Sequence, residues 1–354
     1  MQDPVDHSPS RMLVVWLVFM LAAPLAACTV LVLQRGGNVY VAKNLDWPVG
    51  EGVIVINRRG QEKTALLTGP GQPLAWDSHY GSVTFNMFGP GFPLGGMNEK
   101  GLVIEEANYS PSRYPQGPGP VVNEFQWIQY HLDTCADVGQ VLTSLKRIMI
   151  VPILARVHYL ICDDAGRVAV VEFIAGKARV YTGDDLVVPV MTNTNYANSL
   201  KSLSIHQGFG GIRTVGGGPE SPERFVRAAT WVRGLQTLPV DATPERAFHI
   251  LDVVAQQDTQ WRIIYDPVYM KIRFSTLSDP ETRTIHMQAV DFNGPGAAAD
   301  IHAVPPRFQP MSSAANSALL QRVFDRMVRL NVVAPKEAAS LLESFILHAR
   351  GAQP

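Results

Sequence analysis

The sequence predicts an α+β fold in which two β-sheets are covered by helices. Short runs rich in β-branched and aromatic residues, typical of strands, alternate along the chain with segments of helical spacing. Clusters of strands with a few helices between them fit a layered arrangement of sheets and helices around one core. The chain has 354 residues, 46% of them hydrophobic, so it is long enough to bury a large core and hold a pre-formed pocket.

Composition and charge exclude several classes of protein. The chain has 30 Lys+Arg and 31 Asp+Glu, a net charge of −1, which with this hydrophobic content rules out intrinsic disorder. The balance also argues against a nucleic-acid partner, which requires a strongly basic face. The three cysteines cannot build a disulfide scaffold. No Cys/His spacing indicates a metal site, and no glycine-rich fingerprint indicates a nucleotide, so we expect no cofactor.

The first element along the chain is predicted to be a signal peptide, residues 1–27. Arg11 precedes an apolar run of 15 residues, 13–27, which is short for a membrane span of about 20 residues but suits a secretory signal. Ala26 and Ala27 provide the small residues of a signal-peptidase site. A buried N-terminal helix is the less favoured alternative, because the run has no polar face. We therefore expect a periplasmic or secreted mature protein that begins at Cys28 and has no transmembrane helix.

A cysteine at the predicted new N-terminus has two interpretations. Residues 25–28, Leu-Ala-Ala-Cys, also fit a bacterial lipoprotein, whose cysteine carries lipid and an acylated amino group. Alternatively, Cys28 is a free catalytic nucleophile. Lipoproteins commonly continue with a polar tether, whereas residues 29–33 form the apolar run Thr-Val-Leu-Val-Leu, typical of a core strand. The sequence favours the catalytic interpretation and leaves a lipid anchor as the alternative.

The next element is a β-hairpin that returns the chain to Cys28. Gly36-Gly37 between two strand-like runs indicates a two-residue turn with positive φ. With these glycines as the loop, Cys28 faces Leu45, and Lys43 lies one diagonal step away on the same face. The hairpin would thus gather the thiol, a new α-amino group, Lys43 and Asp46. The alternative is that Lys43 and Asp46 form a solvated ion pair at a strand end.

An N-terminal cysteine can carry both the nucleophile and its base. The thiolate is the reactive form, and an ordinary cysteine has a pKa of about 8.5. An α-amino group, with a pKa of about 7.7–8.0, can take the thiol proton near neutral pH. A carboxylate such as that of Asp46 would orient the resulting ammonium group. Cleavage before Cys28 is required to expose this amine.

The remaining elements follow the same patterns. The strand-like segments are 101–105, 157–161, 168–173, 178–181, 187–191 and 261–265, and the helical ones are 126–131, 139–148, 224–235 and 244–257. Thr243 is the expected N-cap of the last helix. Trp47, Phe88, Phe92 and Tyr109 are candidates for the lining of an apolar acyl pocket.

Residues 293–354 are predicted to be a linker and a helical C-terminal extension beyond a main domain of residues 28–292. Residues 294–310 are rich in glycine, alanine and proline, and two segments with apolar stripes, 312–330 and 335–349, follow. The sequence leaves open whether these helices pack on the domain, cover an oligomer contact or fold as an appendage.

Eight separated motifs resemble the choloylglycine hydrolase family, which contains bile salt hydrolases and penicillin V acylases. They are Cys28-Thr29, Asn44-Leu45-Asp46-Trp47, Tyr80-Gly81-Ser82-Val83, Gly96-Met97-Asn98-Glu99-Lys100-Gly101-Leu102, Met191-Thr192-Asn193, Arg224-Phe225-Val226-Arg227-Ala228, Trp261-Arg262 and Lys271-Ile272-Arg273-Phe274. Their order from Cys28 to about residue 290 makes the resemblance specific. The layout looks most like the exported Gram-negative members.

The resemblance implies a four-layer αββα sandwich of the N-terminal-nucleophile type and a set of catalytic residues. Cys28 would be the nucleophile, and Asp46 would hold its amine. Asn193 would lie near the tetrahedral intermediate, Asn108 would be the second oxyanion-side asparagine, and Arg224 would support the electrostatics of the nucleophile.

The sequence departs from the family at three places. Lys43 stands where the family usually has an arginine, which keeps the charge but loses a bidentate contact. Glu105 and Glu106 place carboxylates beside Asn108, and Asn195 stands where the family often has proline.

We therefore expect a hydrolase that cleaves a linear amide C–N bond of a small N-acyl substrate through an acyl-enzyme. Penicillin V, conjugated bile salts and N-acyl amino acids or lactones are the candidate substrates, and a homo-oligomer is one expectation for the assembly. The alternative is a lipid-anchored, non-catalytic periplasmic binding protein. A histidine-assisted hydrolase that uses Cys135 or Cys162 is a weaker rival, since neither lies in a nucleophile motif. These two cysteines would form either one disulfide or two buried thiols.

Overall fold

The computed structural model describes residues 27–351, which contain four β-sheets and seven α-helices. The strands are β1 (Ala27–Arg35), β2 (Asn38–Asp46), β3 (Val53–Asn57), β4 (Glu62–Thr64), β5 (Gln72–Pro73), β6 (Ala75–Asp77), β7 (Ser82–Asn86), β8 (Pro93–Asn98), β9 (Val103–Asn108), β10 (Pro120–Val122), β11 (Met149–Ile150), β12 (Val157–Cys162), β13 (Val168–Ile174), β14 (Lys177–Thr182), β15 (Val190–Met191), β16 (Thr259–Asp266), β17 (Lys271–Thr276), β18 (Asp279–His286) and β19 (Ala297–Asp300). The helices are α1 (Glu124–Thr134), α2 (Val138–Ser144), α3 (Tyr196–Ser204), α4 (Ser221–Thr237), α5 (Pro244–Val253), α6 (Ser313–Arg329) and α7 (Pro335–Gly351).

Two large antiparallel sheets form the centre of the molecule. One has six strands in the order β15-β1-β2-β16-β17-β18, and the other has eight in the order β14-β13-β12-β9-β8-β7-β3-β19. The sheets face each other where β1 contacts β9 and β12. Helices α4 and α5 cover the six-stranded sheet, and α1 packs against β8 and β9 of the other. This is the predicted αββα arrangement, with the helices α6 and α7 added at the C-terminus.

The predicted hairpin register is confirmed. Gly36 and Gly37 have φ values of 64° and 79°, which glycine adopts without a steric penalty. Cys28 pairs with Leu45 and Val30 pairs with Lys43. Because β15 and β16 flank the hairpin, β1 and β2 are interior strands and Cys28 is buried with 1% of its surface exposed.

Most other predicted elements are present, with different ends. The predicted strand 187–191 is wrong in extent, since only Val190–Met191 pairs with β1. Pro189 has no N–H to donate to a ladder, although its carbonyl accepts a hydrogen bond from Val32. Thr243 does cap α5, accepting from the N–H of Arg246 at 3.3 Å.

The C-terminal helices pack on the domain rather than extending from it. Leu320 and Phe324 of α6 and Phe345 of α7 are buried in the same hydrophobic cluster as the central sheets. Phe88, which follows β7, contacts the rings of both Phe324 and Phe345 at centroid distances of 6.0 and 5.6 Å. A second cluster fills the space between α1, α2 and the outer face of the eight-stranded sheet.

All three cysteines are free and buried, so Cys135 and Cys162 do not form a disulfide. The predicted signal segment, 1–27, lies outside the described residues except for Ala27, which begins β1. None of the helices within residues 27–351 is long and apolar enough to cross a membrane.

Candidate active site

Cys28 lies at the wall of an apolar cavity of about 230 Å³. The cavity is lined by side chains from both large sheets and from the loops that follow β2 and β7, including Trp47, Phe88 and Leu94. The backbone N–H of Asp46 acts on the Cys28 sulfur and lowers the pKa of the thiol, although burial has the larger, opposite effect. A thiol is thus presented to a pocket whose surroundings are mostly hydrocarbon, which suits an apolar ligand.

The backbone of Cys28 is held by Asn193 and Arg224. In this chain, which continues through Ala27, the Cys28 nitrogen is a peptide N–H, and it donates to Asn193 Oδ1 at 2.7 Å. Arg224 Nη2 donates to the same oxygen at 2.8 Å, while its Nη1 donates to the Cys28 carbonyl at 2.7 Å. Asn193 follows β15, the strand paired with β1, and Arg224 lies in the first turns of α4. Two elements that pack on β1 therefore fix the position of the thiol.

Asn108 joins this group from the end of β9. Its carbonyl accepts from Asn193 Nδ2 at 3.0 Å, and its side chain lines the cavity with Cys28. The Oδ1 of Asn108 accepts from Ser110 Oγ at 3.2 Å, which leaves Nδ2 as the end of the amide that can donate to a ligand.

Asp46 is a buried carboxyl at the end of β2, opposite Ala27. Its Oδ1 accepts from Thr259 Oγ1 at 2.5 Å, and its Oδ2 lies 3.7 Å from Arg224 Nη1. Among residues 27–351, Oδ2 has no hydrogen-bond partner. Burial raises the pKa of Asp46 to about 7, against the opposing effects of Thr259 and Arg224. A buried acceptor oxygen without a donor is costly and requires an explanation.

The environment of Cys28 favours the protonated thiol. Burial is the main cause that raises the pKa of Cys28 to about 12, and the negative charge of Glu106 adds to this effect. The Lys43 ammonium acts in the opposite direction. At neutral pH this thiol therefore needs a nearby base to become a nucleophile.

Lys43 lies near Cys28 but pairs with other residues. Its Nζ lies 2.7 Å from Glu105 Oε2 and 3.3 Å from Glu106 Oε1, and it donates to the Leu94 carbonyl at 3.2 Å. Burial alone would lower the pKa of Lys43, but these carboxylates outweigh it and raise the pKa. The alternative interpretation of a solvated ion pair with Asp46 is wrong, because Lys43 and Asp46 are both buried and do not contact each other.

A glycine creates the space for this buried charge cluster. A Cβ at Gly95 would lie 2.1 Å from the Glu105 carboxylate, so no other residue fits there without moving it. Tyr265 donates its hydroxyl to Glu105 Oε1. Burial raises the pKa of Glu105 to about 7 despite Lys43.

A second buried network supports Asn193 and is not predicted by the sequence analysis. The ring of His158 contacts the Thr192 carbonyl at 2.6 Å through Nε2 and Glu172 Oε1 at 3.0 Å through Nδ1. Glu172 also accepts from the Tyr196 N–H at 2.8 Å, so the chain is fixed on both sides of Asn193. The only signal in the sequence is a glutamate within the apolar run 168–174, since an acidic residue is rarely buried without a partner.

The predicted aromatic lining is half correct. Trp47 and Phe88 line the cavity. Phe92 instead packs on Phe345, with ring centroids 4.6 Å apart, and Tyr109 stacks on His158 at 5.3 Å. Neither of these two rings is among the residues that line the cavity.

Comparison with known proteins assigns the family. The sequence profile described as linear amide C–N hydrolases, choloylglycine hydrolase family, matches residues 28–291. The chain belongs to the choloylglycine hydrolase family. A penicillin V acylase from Pectobacterium atrosepticum is 24% identical over 276 residues, covering 65% of this chain and 73% of that protein. The protein is therefore an amidohydrolase that acts on linear amides.

Solved structures support the same assignment. Penicillin V acylase from Agrobacterium tumefaciens superposes with a TM-score of 0.67 at 26% identity, over 80% of this chain and 97% of that one. A mutant of conjugated bile acid hydrolase from Clostridium perfringens, at 18% identity, gives a TM-score of 0.65 over the same shares of the two chains and shares the fold. The family match of this choloylglycine hydrolase begins at Cys28 and ends before α6 and α7.

Proposed function

We propose that this choloylglycine hydrolase is an exported enzyme that uses Cys28 as an N-terminal nucleophile after removal of residues 1–27. The observation that carries the proposal is the unpartnered Oδ2 of Asp46, a buried acceptor at the N-terminal end of β1, where an α-ammonium group would form. The match of the family profile from Cys28 onward supports the same N-terminus.

Cleavage before Cys28 would supply the base that the thiol lacks. A peptide nitrogen cannot accept a proton, whereas a primary amine at the same position titrates at a pKa of about 7.7–8.0. Asn193 Oδ1 accepts from this nitrogen at 2.7 Å. The ammonium form of the new amine would donate hydrogen bonds to this oxygen and to Asp46 Oδ2. Maturation would thus convert an inert thiol into an activated one.

The reaction follows from these positions. The amine takes the thiol proton as Sγ attacks the carbonyl carbon of the amide. The C–N bond breaks while the ammonium returns the proton to the leaving amine, which yields a thioester. Water, deprotonated by the same amine, then releases the carboxylic acid and restores the thiol. Asn108 Nδ2 is the cavity donor for the developing oxyanion, and loss of one such donor typically costs about 10²–10³ in rate.

The cavity supports an apolar acyl group as the portion of the substrate beside Cys28. Trp47, Phe88, Phe125 and Leu154 supply hydrocarbon surface around the sulfur. Penicillin V, a conjugated bile salt or an N-acyl amino acid or lactone are the substrate types we propose, and penicillin V acylases and a conjugated bile acid hydrolase are among the relatives.

The proposal is tested with Cys28→Ala and a matched Cys162→Ala control on the processed protein. Both cysteines are buried, but Cys162 does not line the cavity of Cys28. Assayed with phenoxyacetyl, bile-acid and straight-chain acyl amides, Cys28→Ala should lose at least about 10³-fold in turnover, and Cys162→Ala should keep it. Amide hydrolysis by Cys28→Ala at the rate of the unaltered enzyme would contradict the proposal.

A lipidated Cys28 in a non-catalytic anchored protein is the alternative. Cys28 is 1% exposed, and a diacylglyceryl group on its sulfur would have to occupy the cavity of about 230 Å³ that this residue lines. Intact-mass measurement of the protein from its native host separates the two. An unmodified chain that begins at Cys28 supports the enzyme, and the added mass of a lipid supports the anchor.

A further inference from the structure

Part of the cavity wall at Cys28 comes from outside the region that matches the family. Met327 of α6, Val332 and Val333 of the following turn, and Glu337 of α7 line the same cavity as Cys28. The family profile ends at residue 291. We propose that α6, the turn and α7, together called the C-terminal hairpin, form the wall that determines which acyl groups this enzyme accepts. The inference rests on the proposed role of Cys28.

Aromatic contacts with the family domain hold the C-terminal hairpin in place. Phe88, which itself lines the cavity, contacts Phe125, Phe324 and Phe345 with ring centroids 5.3–6.0 Å apart. Phe345 is 1% exposed. These rings connect the wall of the pocket directly to both helices of the hairpin, so a change in one is transmitted to the other by close packing.

The turn between the helices has a defined backbone. Asn331 adopts a left-handed conformation with φ of 55°, which asparagine tolerates better than most residues. The N–H of Val332 then donates to the Met327 carbonyl at 2.9 Å. At the end of α6, Arg326 Nε donates to the Pro48 carbonyl at 3.2 Å. Val332 and Val333 are therefore presented to the cavity by a fixed turn.

The volume and charge of this cavity indicate which acyl groups fit beside Cys28. At about 230 Å³, the cavity is smaller than the roughly 300–1,000 Å³ of pockets for drug-sized ligands. Two carboxylates, Glu106 and Glu337, line it, and no Lys, Arg or His among the described residues does. Of the proposed substrate types, we therefore expect those with an uncharged, compact acyl group, such as a straight chain of moderate length or a single ring, to be accepted. Conjugated bile salts, whose acyl group is polycyclic, should be excluded.

The test narrows the cavity at Val332 and compares acyl chains. Val332 is half-buried, so Val332→Trp adds bulk toward the pocket without replacing a core residue. Leu347→Trp is the matched control, because Leu347 of α7 is 56% exposed and does not line the cavity. Amides of one amine with saturated acyl chains from butanoyl to dodecanoyl are the substrates, and kcat/KM is measured for each.

Val332→Trp should move the preferred chain length downward and reduce kcat/KM for the best wild-type substrate by about tenfold or more. In Val332→Trp, kcat/KM for the butanoyl amide should change by less than about twofold. Leu347→Trp should keep the chain-length profile of the wild type. Equal chain-length profiles in Val332→Trp and the wild type, with unchanged thermal unfolding, would overturn the inference. A shift of the same size in Leu347→Trp would also overturn it.

A second measurement keeps this test independent of turnover. The uncharged amides of the same series are titrated by calorimetry into Cys28→Ala, with and without Val332→Trp. A shift of the affinity optimum to shorter acyl chains in the double variant supports the wall, and identical affinities contradict it, whether or not the wild type cleaves any amide. Failure of every amide to react would instead count against the role of Cys28.

Discussion

At the scale of single residues, the site contains two acidic groups whose neutral forms are favoured by burial. The Cys28 thiol has a pKa raised to about 12 by burial, and the Asp46 carboxyl has a pKa raised to about 7 for the same reason. Both would be stabilised in their charged forms by an ammonium group between them. The peptide bond to Ala27 prevents that group from forming, so the uncleaved chain has a buried thiol without a base.

This leads to a prediction about thiol reactivity before and after cleavage. A chain that begins at Ala27 should react with iodoacetamide at Cys28 only at strongly alkaline pH, because its thiol stays protonated. A chain that begins at Cys28 should react near neutral pH, at a rate at least about tenfold higher at pH 7.5. Mass spectrometry of the alkylated peptides gives both rates. Cys162 is the internal control, since burial also raises its pKa, and equal reactivity of Cys28 in the two chains would refute the prediction.

At the scale of secondary-structure elements, the β-hairpin of β1 and β2 is predictable from the sequence, and the residues that pack around it are not. Gly36-Gly37 determines the register of β1 on β2, because a two-residue turn fixes every opposite pair. The partners of Lys43, by contrast, come from β8 and β9 in the other sheet. No local pattern indicates that Glu105 and Glu106 meet it there, since this contact depends on how the two sheets stack. Asn193 and Arg224 are found only through the resemblance to the family.

The start of α1 illustrates how one buried residue holds part of the cavity wall. Glu124 accepts hydrogen bonds from the N–H groups of Ile153, Leu154 and Ala155 at 2.7–2.8 Å. Leu154 and Ala155 line the cavity at Cys28. The first residue of a helix thus fixes a loop of the site, and burial raises the pKa of Glu124 to about 7 although these N–H groups oppose the shift.

The raised pKa of Glu124 predicts a pH dependence of stability with a definite sign. The folded state holds the proton up to about pH 7, and the unfolded state releases it near pH 4.5. Folding therefore takes up a proton between these values, and the contribution of Glu124 to the free energy of unfolding falls as pH rises, by at most about 1.4 kcal/mol per pH unit. The Gln side chain of Glu124→Gln cannot titrate. Between pH 4.5 and 7, the free energy of unfolding of the wild type should therefore fall relative to that of the variant. Urea unfolding across this range measures it, and a constant difference contradicts the assignment.

At the scale of the whole molecule, the C-terminal hairpin makes the enzyme one packed unit. Buried residues of α6 and α7 belong to the same hydrophobic cluster as the two central sheets. The sequence indicates both helices through their apolar stripes but not the surface that these stripes cover, because amphipathic spacing contains no information about the partner. Phe345 of α7 contacts Phe324 of the C-terminal hairpin. It also contacts Phe88 and Phe92 of the family domain, and no pattern in the sequence indicates these two contacts.

A substitution at Phe345 tests whether the hairpin and the family domain unfold together. Phe345→Ala removes a ring that is 1% exposed and should lower the free energy of unfolding by ~3–5 kcal/mol, in a single transition. Leu347→Ala, on the exposed face of the same helix, should change it by less than about 0.5 kcal/mol. Denaturant unfolding is followed by tryptophan fluorescence, which reports the domain because Trp127 and Trp261 are buried there. An early transition of helical circular dichroism in Phe345→Ala, with tryptophan fluorescence unchanged, would mean that the hairpin unfolds alone and that the pocket wall is separable from the domain it covers.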